Sequence, residues 1–323
     1  MHRHSLGRVG IARSACVLAL AIAAAGCSDS STSGKPPLGD ARIIALVSDS
    51  ANPDGSSIFI MHADGSHRTR LTTPHFHDIN PSWSPDGSSI TFESSRPPSG
   101  IWIMNADGSN QRPFLTDAAF ASPTYLHWSP DGHFVAFDAY ADTVGNRRAI
   151  MIADSDGSHA HRLTSSLSSE RWPSWSPDGT RIAFMTFGLP GYSISIVNRD
   201  GTAQRQLAND FDWEPEWSPD GIHIAFVSLS ASRTTQIFVM REDGSDRLAL
   251  TTGASDFDPA WSPDGQQLAY DRSTDDTTSH SSNGPEEIFR VDSNGQAARQ
   301  ITSSGSTPTT FSRAWSPAWK PTP

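Results

Sequence analysis

One short phrase recurs along this chain. Trp-Ser-Pro stands at Trp83, Trp128, Trp175, Trp217, Trp261 and Trp315, at spacings of 45, 47, 42, 44 and 54 residues. The first five copies continue as WSPDG. Each is followed by an IAF-like triplet, an apolar run such as IWIM, a DGS-like corner and usually a closing LT. A period of this length means one supersecondary unit stacked on copies of itself, and that constrains the fold more than any other feature.

Each part of the unit has a local reason. Pro85 presets φ for a turn and Gly87 supplies the left-handed conformation that closes it, so SPDG is a hairpin corner. Ile90-Thr91-Phe92, Ile182-Ala183-Phe184 and Ile224-Ala225-Phe226 put two large residues on one face and a small one on the other. The small residue lets a neighbouring sheet approach. NADGS from Asn105, DSDGS from Asp154 and REDGS from Arg241 form a second corner. DSDGS has some of the oxygens of a calcium loop but no later bidentate acid, and turn chemistry accounts for it. The unit is a four-stranded antiparallel sheet of ~40–45 residues, the size of a propeller blade.

The ends settle the architecture expected. Residues 42–72 hold the second, third and fourth strands of a unit without its WSPDG strand, and residues 313–319 hold only that missing strand. The reading is all-β: a six-bladed β-propeller over 42–319, its closing blade made from the N-terminal three strands plus the C-terminal strand. Corner glycines Gly65, Gly108, Gly157, Gly201, Gly244 and Gly295 agree with that number. Closing the ring removes exposed sheet edges. The repeated tryptophans read as core wedges.

The first forty residues are of another kind. MHRHSLGRVGIAR carries three arginines and no acid, SACVLALAIAAAG is apolar, and Cys27 follows. That is a secretory signal over 1–26, too short to span a membrane as a helix. AAGC resembles the bacterial lipobox, which implies lipidation at Cys27, with Ala24 where leucine is more usual. Ser28 after the cysteine favours the outer membrane by the same resemblance. Residues 27–41 read as a flexible polar tether. The other cysteine, Cys16, lies inside the signal, so no disulfide framework is available. Loss of the signal takes the formal charge from −11 to −14. An acidic chain without Lys/Arg clusters repels phosphates, which argues against nucleic acid.

The pattern WSPDG, IAF, ADGS and LT resembles the TolB-like propeller repeats from residue 42 to 319. The resemblance implies a propeller that works in the bacterial cell envelope. It does not extend to the N-terminal α/β domain that TolB carries before its propeller. The expectation is a lipoprotein with a TolB-like propeller, exported and facing the periplasm, meeting the membrane only through its lipid.

The crossovers between units suggest where a site would be. Five residues before the repeat tryptophan stand Asp78, Glu170, Asp212 and Asp256, and three before it stand Trp172, Glu214 and Asp258, with Trp213 beside them. Placed around the mouth of a central channel, these would form an acidic, partly aromatic funnel for a cationic side chain, a basic peptide or a divalent cation. The alternative is that the acids at five before bond turn backbone in every unit. His75 and His77, beside Asp78, could hold a metal; no other cofactor is expected. The insertion after Asp271 and a smaller one after Asp138 read as mobile loops on the same face.

A serine hydrolase is disfavoured because G-x-S-x-G is absent, as is H-E-x-x-H. The expected function is a monomeric scaffold that binds an envelope protein or a basic peptide. The alternative is a stand-alone propeller enzyme, a polymer lyase or hydrolase resembling oligogalacturonate lyases, with His75 and His77 on a metal.

Overall fold

The computed structural model describes residues 43–48, 55–73, 75–115, 120–140, 147–165, 168–188, 191–208, 211–252, 255–273, 286–302 and 318–319. The expected signal, the tether with Cys27, most of both insertions and Trp315 lie outside them.

Every regular element among the described residues is a β-strand. In chain order, β1 (Ile43–Ser48), β2 (Ser57–His62) and β3 (Thr69–Arg70) come first. The next four are β4 (Asp78–Trp83), β5 (Ser89–Ser94), β6 (Gly100–Asn105) and β7 (Arg112–Pro113). Then follow β8 (Ala121–Trp128), β9 (Phe134–Tyr140), β10 (Arg148–Asp154) and β11 (His161–Arg162). The fourth group is β12 (Ser169–Trp175), β13 (Arg181–Phe187), β14 (Tyr192–Asn198) and β15 (Arg205–Ala208). The fifth is β16 (Trp213–Trp217), β17 (His223–Leu229), β18 (Thr235–Arg241) and β19 (Leu248–Ala249). The last are β20 (Asp256–Trp261), β21 (Gln267–Ser273), β22 (Glu286–Asp292), β23 (Arg299–Gln300) and β24 (Ala318–Trp319).

These strands form six four-stranded sheets. Five come from contiguous segments, each paired in sequence order; in the sixth, β24 joins β1, which continues to β2 and β3. All pairings are antiparallel, with Ile44 opposite Trp319 and Ala45 opposite Ala318 in the composite sheet. The architecture is an all-β propeller. Outer strands are short, two residues in five of the six sheets, which leaves little open edge for another chain to pair with.

The repeat tells how sheets pack. Ile182 and Phe184 face one neighbour together with Trp175, against Ala136, Ile150 and Ile152 of the sheet before. The middle residue Ala183 faces the other way, with Ile194 and Ile196, against Trp217, Ile224 and Phe226 of the sheet after. Large residues of one sheet thus meet the small middle residue of its predecessor. Ala136, Ala183, Ala225 and Ala269 are fully buried, as the triplets required. Trp83, Trp175, Trp217 and Trp261 are buried and Trp128 partly so, in keeping with wedges.

The DGS corners add a backbone constraint. Gly157 has φ +86, and a Cβ there would stand 2.7 Å from the carbonyl oxygen of Phe114 in the preceding sheet. Gly132, in an SPDG corner, also has positive φ (+70) but its nearest atom would be at 3.9 Å. Both positions favour glycine, but only the first also needs its bareness. Gly157→Ala should therefore lower stability by more than about 1 kcal/mol, and by clearly more than Gly132→Ala, in urea denaturation of the two variants.

Candidate functional site: an acidic channel entrance

The first strand of each contiguous sheet is not a regular strand. Its register against the second strand shifts between Ile79 and Ser82, Thr124 and His127, Arg171 and Ser174, Trp213 and Glu216, and Phe257 and Ala260. A bulge bends a strand and re-aims a side chain. The residue three before each tryptophan is left-handed: Asn80 (φ 52), Tyr125 (51), Trp172 (55), Glu214 (53) and Asp258 (48). Asparagine and aspartate tolerate this region; tyrosine, tryptophan and glutamate adopt it rarely. Proline follows in four of the five strands and has no N–H to leave unpaired.

The bulge frees backbone groups that the next layer satisfies. The amide of Tyr125 donates to Glu93 Oε1 at 2.8 Å, that of Trp172 to Asp138 Oδ1 at 3.3 Å, and that of Asp258 to Glu214 Oε2 at 3.0 Å. In each case the acid belongs to the preceding sheet. On the carbonyl side, Trp175 Nε1 donates to the His127 oxygen at 3.2 Å and Trp261 Nε1 to the Glu216 oxygen at 3.3 Å. These bonds staple neighbouring sheets around the axis. Glu93 and Asp138 were not singled out in the sequence, though both directly follow the aromatic residue of the triplet (ITFE, VAFD).

Five left-handed residues converge on a central cavity of about 220 Å³. Asn80, Tyr125, Trp172, Glu214 and Asp258 line it, with His127 and Glu216 one step deeper along their strands. The expected Trp172, Glu214 and Asp258 are therefore brought together. Trp213 lies instead in an adjoining cleft, which Trp172 also borders.

The acids five before the tryptophan need correction. Asp78, Glu170, Asp212 and Asp256 are each 0% exposed and do not line the channel mouth. Asp212 takes a bidentate pair from Arg247 at 2.6 and 2.8 Å, and Asp256 one from Arg272 at 2.5 and 2.9 Å. Asp78 is paired with Arg96 and accepts from Ser94 Oγ at 2.6 Å. Glu170 accepts from the Thr164 hydroxyl and from Gln204 Nε2 at 3.1 Å. A carboxylate taken out of water persists only with such partners. For Asp78, Asp212 and Asp256 the partners seen are side chains rather than turn amides. Glu170 takes the hydroxyl of the closing LT threonine, Thr164, which accepts the Ile150 amide at 3.1 Å. Thr302 does the same for Glu287, an acid of β22 away from the five-before position, and accepts the Ile288 amide at 2.8 Å.

His75 and His77 are exposed, while the Asp78 expected beside them faces Arg96. Among the described residues no group of three or more His, Cys, Asp and Glu could hold a metal ion.

Burial sets the charge state inside the channel. It pushes the Glu93 carboxyl up to about 7, against the opposing bonds from Asn80 (2.6 Å to Glu93 Oε1) and the Tyr125 amide. It pushes Glu216 up to about 7 as well and His127 down to about 4. Glu216 and His127 stand 3.9 Å apart, and at neutral pH the imidazole is uncharged, so this is a polar contact between a partly ionised acid and a neutral ring.

The Glu93 shift fixes a sign. Unfolded, the group releases its proton near 4.5; folded, near 7. Between those values the folded chain holds the extra proton, so this contribution to stability declines as pH rises from about 4.5 to 7. Glu93→Gln keeps an acceptor for the Tyr125 amide and removes the titration. It should raise stability at pH 8 relative to pH 5 by on the order of 2 kcal/mol compared with the unaltered chain, read from urea midpoints at the two pH values.

Fold and site together define a β-propeller whose central channel is lined with acids and aromatics. The chain belongs to the TolB beta propeller domain family, which it matches over residues 139–320. Over 130 residues it is 33% identical to an uncharacterized protein of Agrobacterium fabrum; that stretch is 35% of this chain and 44% of the relative, so the match spans less than half of the relative. Among solved structures it is similar to TolB from Acinetobacter baumannii (TM-score 0.71, 18% identity, 87% of this chain and 67% of that one). It is also similar to a TolB-type protein of Agrobacterium tumefaciens (TM-score 0.69, 20% identity, 88% of this chain and all of that one). At these identities the structural likeness speaks for the fold.

Proposed function

We propose that the chain is an exported, lipid-anchored envelope protein whose propeller binds a protein or basic peptide at the channel entrance. The observation that carries this is the run of left-handed residues. Tyr125, Trp172 and Glu214 occupy a conformation costing about 1–3 kcal/mol each, and such outliers collect at functional sites. The bulges bring two aromatic rings and the carboxylates of Glu214, Glu216 and Asp258 to one opening. That combination suits a lysine or arginine side chain, which gains from the negative field of the carboxylates and from contact with the apolar ring edges. Membership of a TolB family supports an envelope setting, and the signal-like segment before Cys27 supports export with a lipid anchor, outer membrane facing the periplasm. The propeller acts as a monomer.

Capture of partners from crosslinked envelope extract tests this reading. The full chain should retain a discrete envelope protein in a salt-sensitive manner. Glu214→Gln, Glu216→Gln and Asp258→Asn combined should reduce its recovery roughly tenfold and remove the salt sensitivity. Recovery unchanged by all three substitutions would retire the channel entrance as the site.

The composite sheet is read as a sixth blade that closes the ring. Its β2 residues Ile58 and Ile60 pack on Trp83 and Ile90 of the sheet that follows, while Met61 and Ala63 pack on Ala269 and Ile288 of the last sheet. A Cβ on Gly65 would stand 2.1 Å from the Ile301 carbonyl oxygen, the same close approach seen at the other DGS corners. Deleting residues 313–323 should then expose the β1 edge, lower the melting temperature by several degrees and shift the chain toward dimers on size exclusion. A truncated chain with unchanged melting and elution would contradict closure by the C-terminal strand.

A further inference from the structure

Beside the acidic channel lies a second site of opposite character. Between the sheet β12–β15 and the sheet β16–β19 a cleft of about 820 Å³ opens, bordered by Trp172 on its channel side. Phe187 and Tyr192 face each other across β13 and β14, with ring centroids 5.2 Å apart, and Tyr192 is 5.8 Å from Trp213. These rings form a continuous shelf. Phe187 is 52% exposed, Tyr192 37% and Phe211 44%, three of the five large apolar side chains exposed among the described residues. A contiguous exposed apolar patch marks an interaction site more often than scattered exposed residues do.

Two backbone features hold the shelf open. Phe211 sits at φ +61, a conformation a bulky residue adopts only when its surroundings impose it. Its ring lies over Gly191, where a Cβ would come within 2.6 Å of the ring, so a side chain at that position would displace it. An aromatic ring is thus kept exposed at a conformational cost.

The charge of the cleft runs against that of the chain. In a protein of formal charge −11, the two charged residues on the walls are Arg171 and Arg233. Arg171 spreads its guanidinium over the rings of Tyr125 and Trp172, with Nε 3.8 Å from Asp138. Arg233 is exposed at a left-handed loop position (φ 62) tied by its amide to the Ser230 carbonyl at 2.9 Å, and it forms no ion pair among the described residues. Two guanidinium groups flanking an aromatic shelf complement carboxylates flanking a large apolar side chain. A sugar would stack on the same rings and could use the Ser169 and Tyr192 hydroxyls, but the two arginines, with no acid among the lining residues, favour a ligand that carries carboxylates.

We propose that this cleft binds an acidic peptide segment that carries an aromatic side chain: the ring on the Phe187–Tyr192–Trp213–Phe211 shelf, its neighbouring carboxylates on Arg171 and Arg233. The inference rests on the reading of the propeller as a peptide-binding protein and adds a second pocket whose charge preference is the reverse of the channel's. One partner could reach both, since Trp172 borders each, with its basic residue in the channel and its acidic aromatic stretch in the cleft.

The test uses the full chain and two fluorescein-labelled peptides, one with a Phe-Trp centre flanked by aspartates, the other flanked by lysines, followed by anisotropy. The aspartate peptide should bind saturably and weaken with salt. Arg233→Glu, on an exposed loop, should weaken it roughly tenfold, and Phe211→Ala should do the same without altering the far-ultraviolet circular dichroism. The combined Glu214, Glu216 and Asp258 substitutions should leave the aspartate peptide bound while abolishing any binding of the lysine peptide. The two readings therefore fail separately. No saturable binding of the aspartate peptide, or binding indifferent to both Arg233→Glu and Phe211→Ala, would overturn the proposal. Quenching of tryptophan fluorescence by a chito-oligosaccharide, lost in Phe211→Ala, would overturn it in favour of a glycan.

Discussion

A backbone amide released from its ladder is the constraint on which the rest of this propeller depends. The bulge three residues before the repeat tryptophan opens the first strand where neighbouring sheets crowd together. A buried N–H without an acceptor costs about 1–3 kcal/mol, so each sheet must lend its neighbour a group. Glu93, Asp138 and Glu214 do this for the Tyr125, Trp172 and Asp258 amides. The indoles of Trp175 and Trp261 take the carbonyls on the other side of the bulge. Packing of triplets against alanines sets how near the sheets lie; these bonds set how they are turned about the axis.

The same distortion generates the site. A regular strand alternates its side chains between the two faces of the sheet, which here are both occupied by neighbouring sheets. A residue rotated into the left-handed region is turned out of that alternation, along the sheet edge toward the channel. Tyr125, Trp172, Glu214 and Asp258 reach the opening for that reason. Structure and binding chemistry are not separable at Glu214, which both borders the cavity and caps the Asp258 amide.

Acidic residues play three physically distinct parts here. Those five before the tryptophan are dry and matched by arginine, threonine hydroxyls or glutamine, so their fields are largely cancelled at short range. Glu93 and Glu216 are held near the midpoint of their titration by burial. The many aspartates of the corners, such as Asp86 and Asp243, bond the turn amide two residues on and are held below the usual carboxylate range by those hydrogen bonds. Formal charge thus says little about where a field acts. At the channel entrance carboxylates stand beside aromatic rings, and in the neighbouring cleft two arginines border an aromatic shelf.

The periodicity of WSPDG, the IAF triplet and the DGS corner determined by themselves the four-stranded unit, its turns and which residues form its core, because turn chemistry and two-residue alternation are local. Ala183 between Ile182 and Phe184 already stated that one face receives a neighbour. The acids five before the tryptophan were visible as a repeat, yet their burial was not, since Arg96, Arg247 and Arg272 reach them from three different positions in the unit and share no spacing. The aromatic cleft was invisible as well: Phe187, Tyr192 and Phe211 lie outside the repeated positions and meet only across two strands and a loop. What repeats in sequence reported what every blade must do for its neighbours. What differs between blades, and so what the protein recognises, was decided by tertiary structure, because a side chain's direction at the axis depends on a bulge that letters alone do not show.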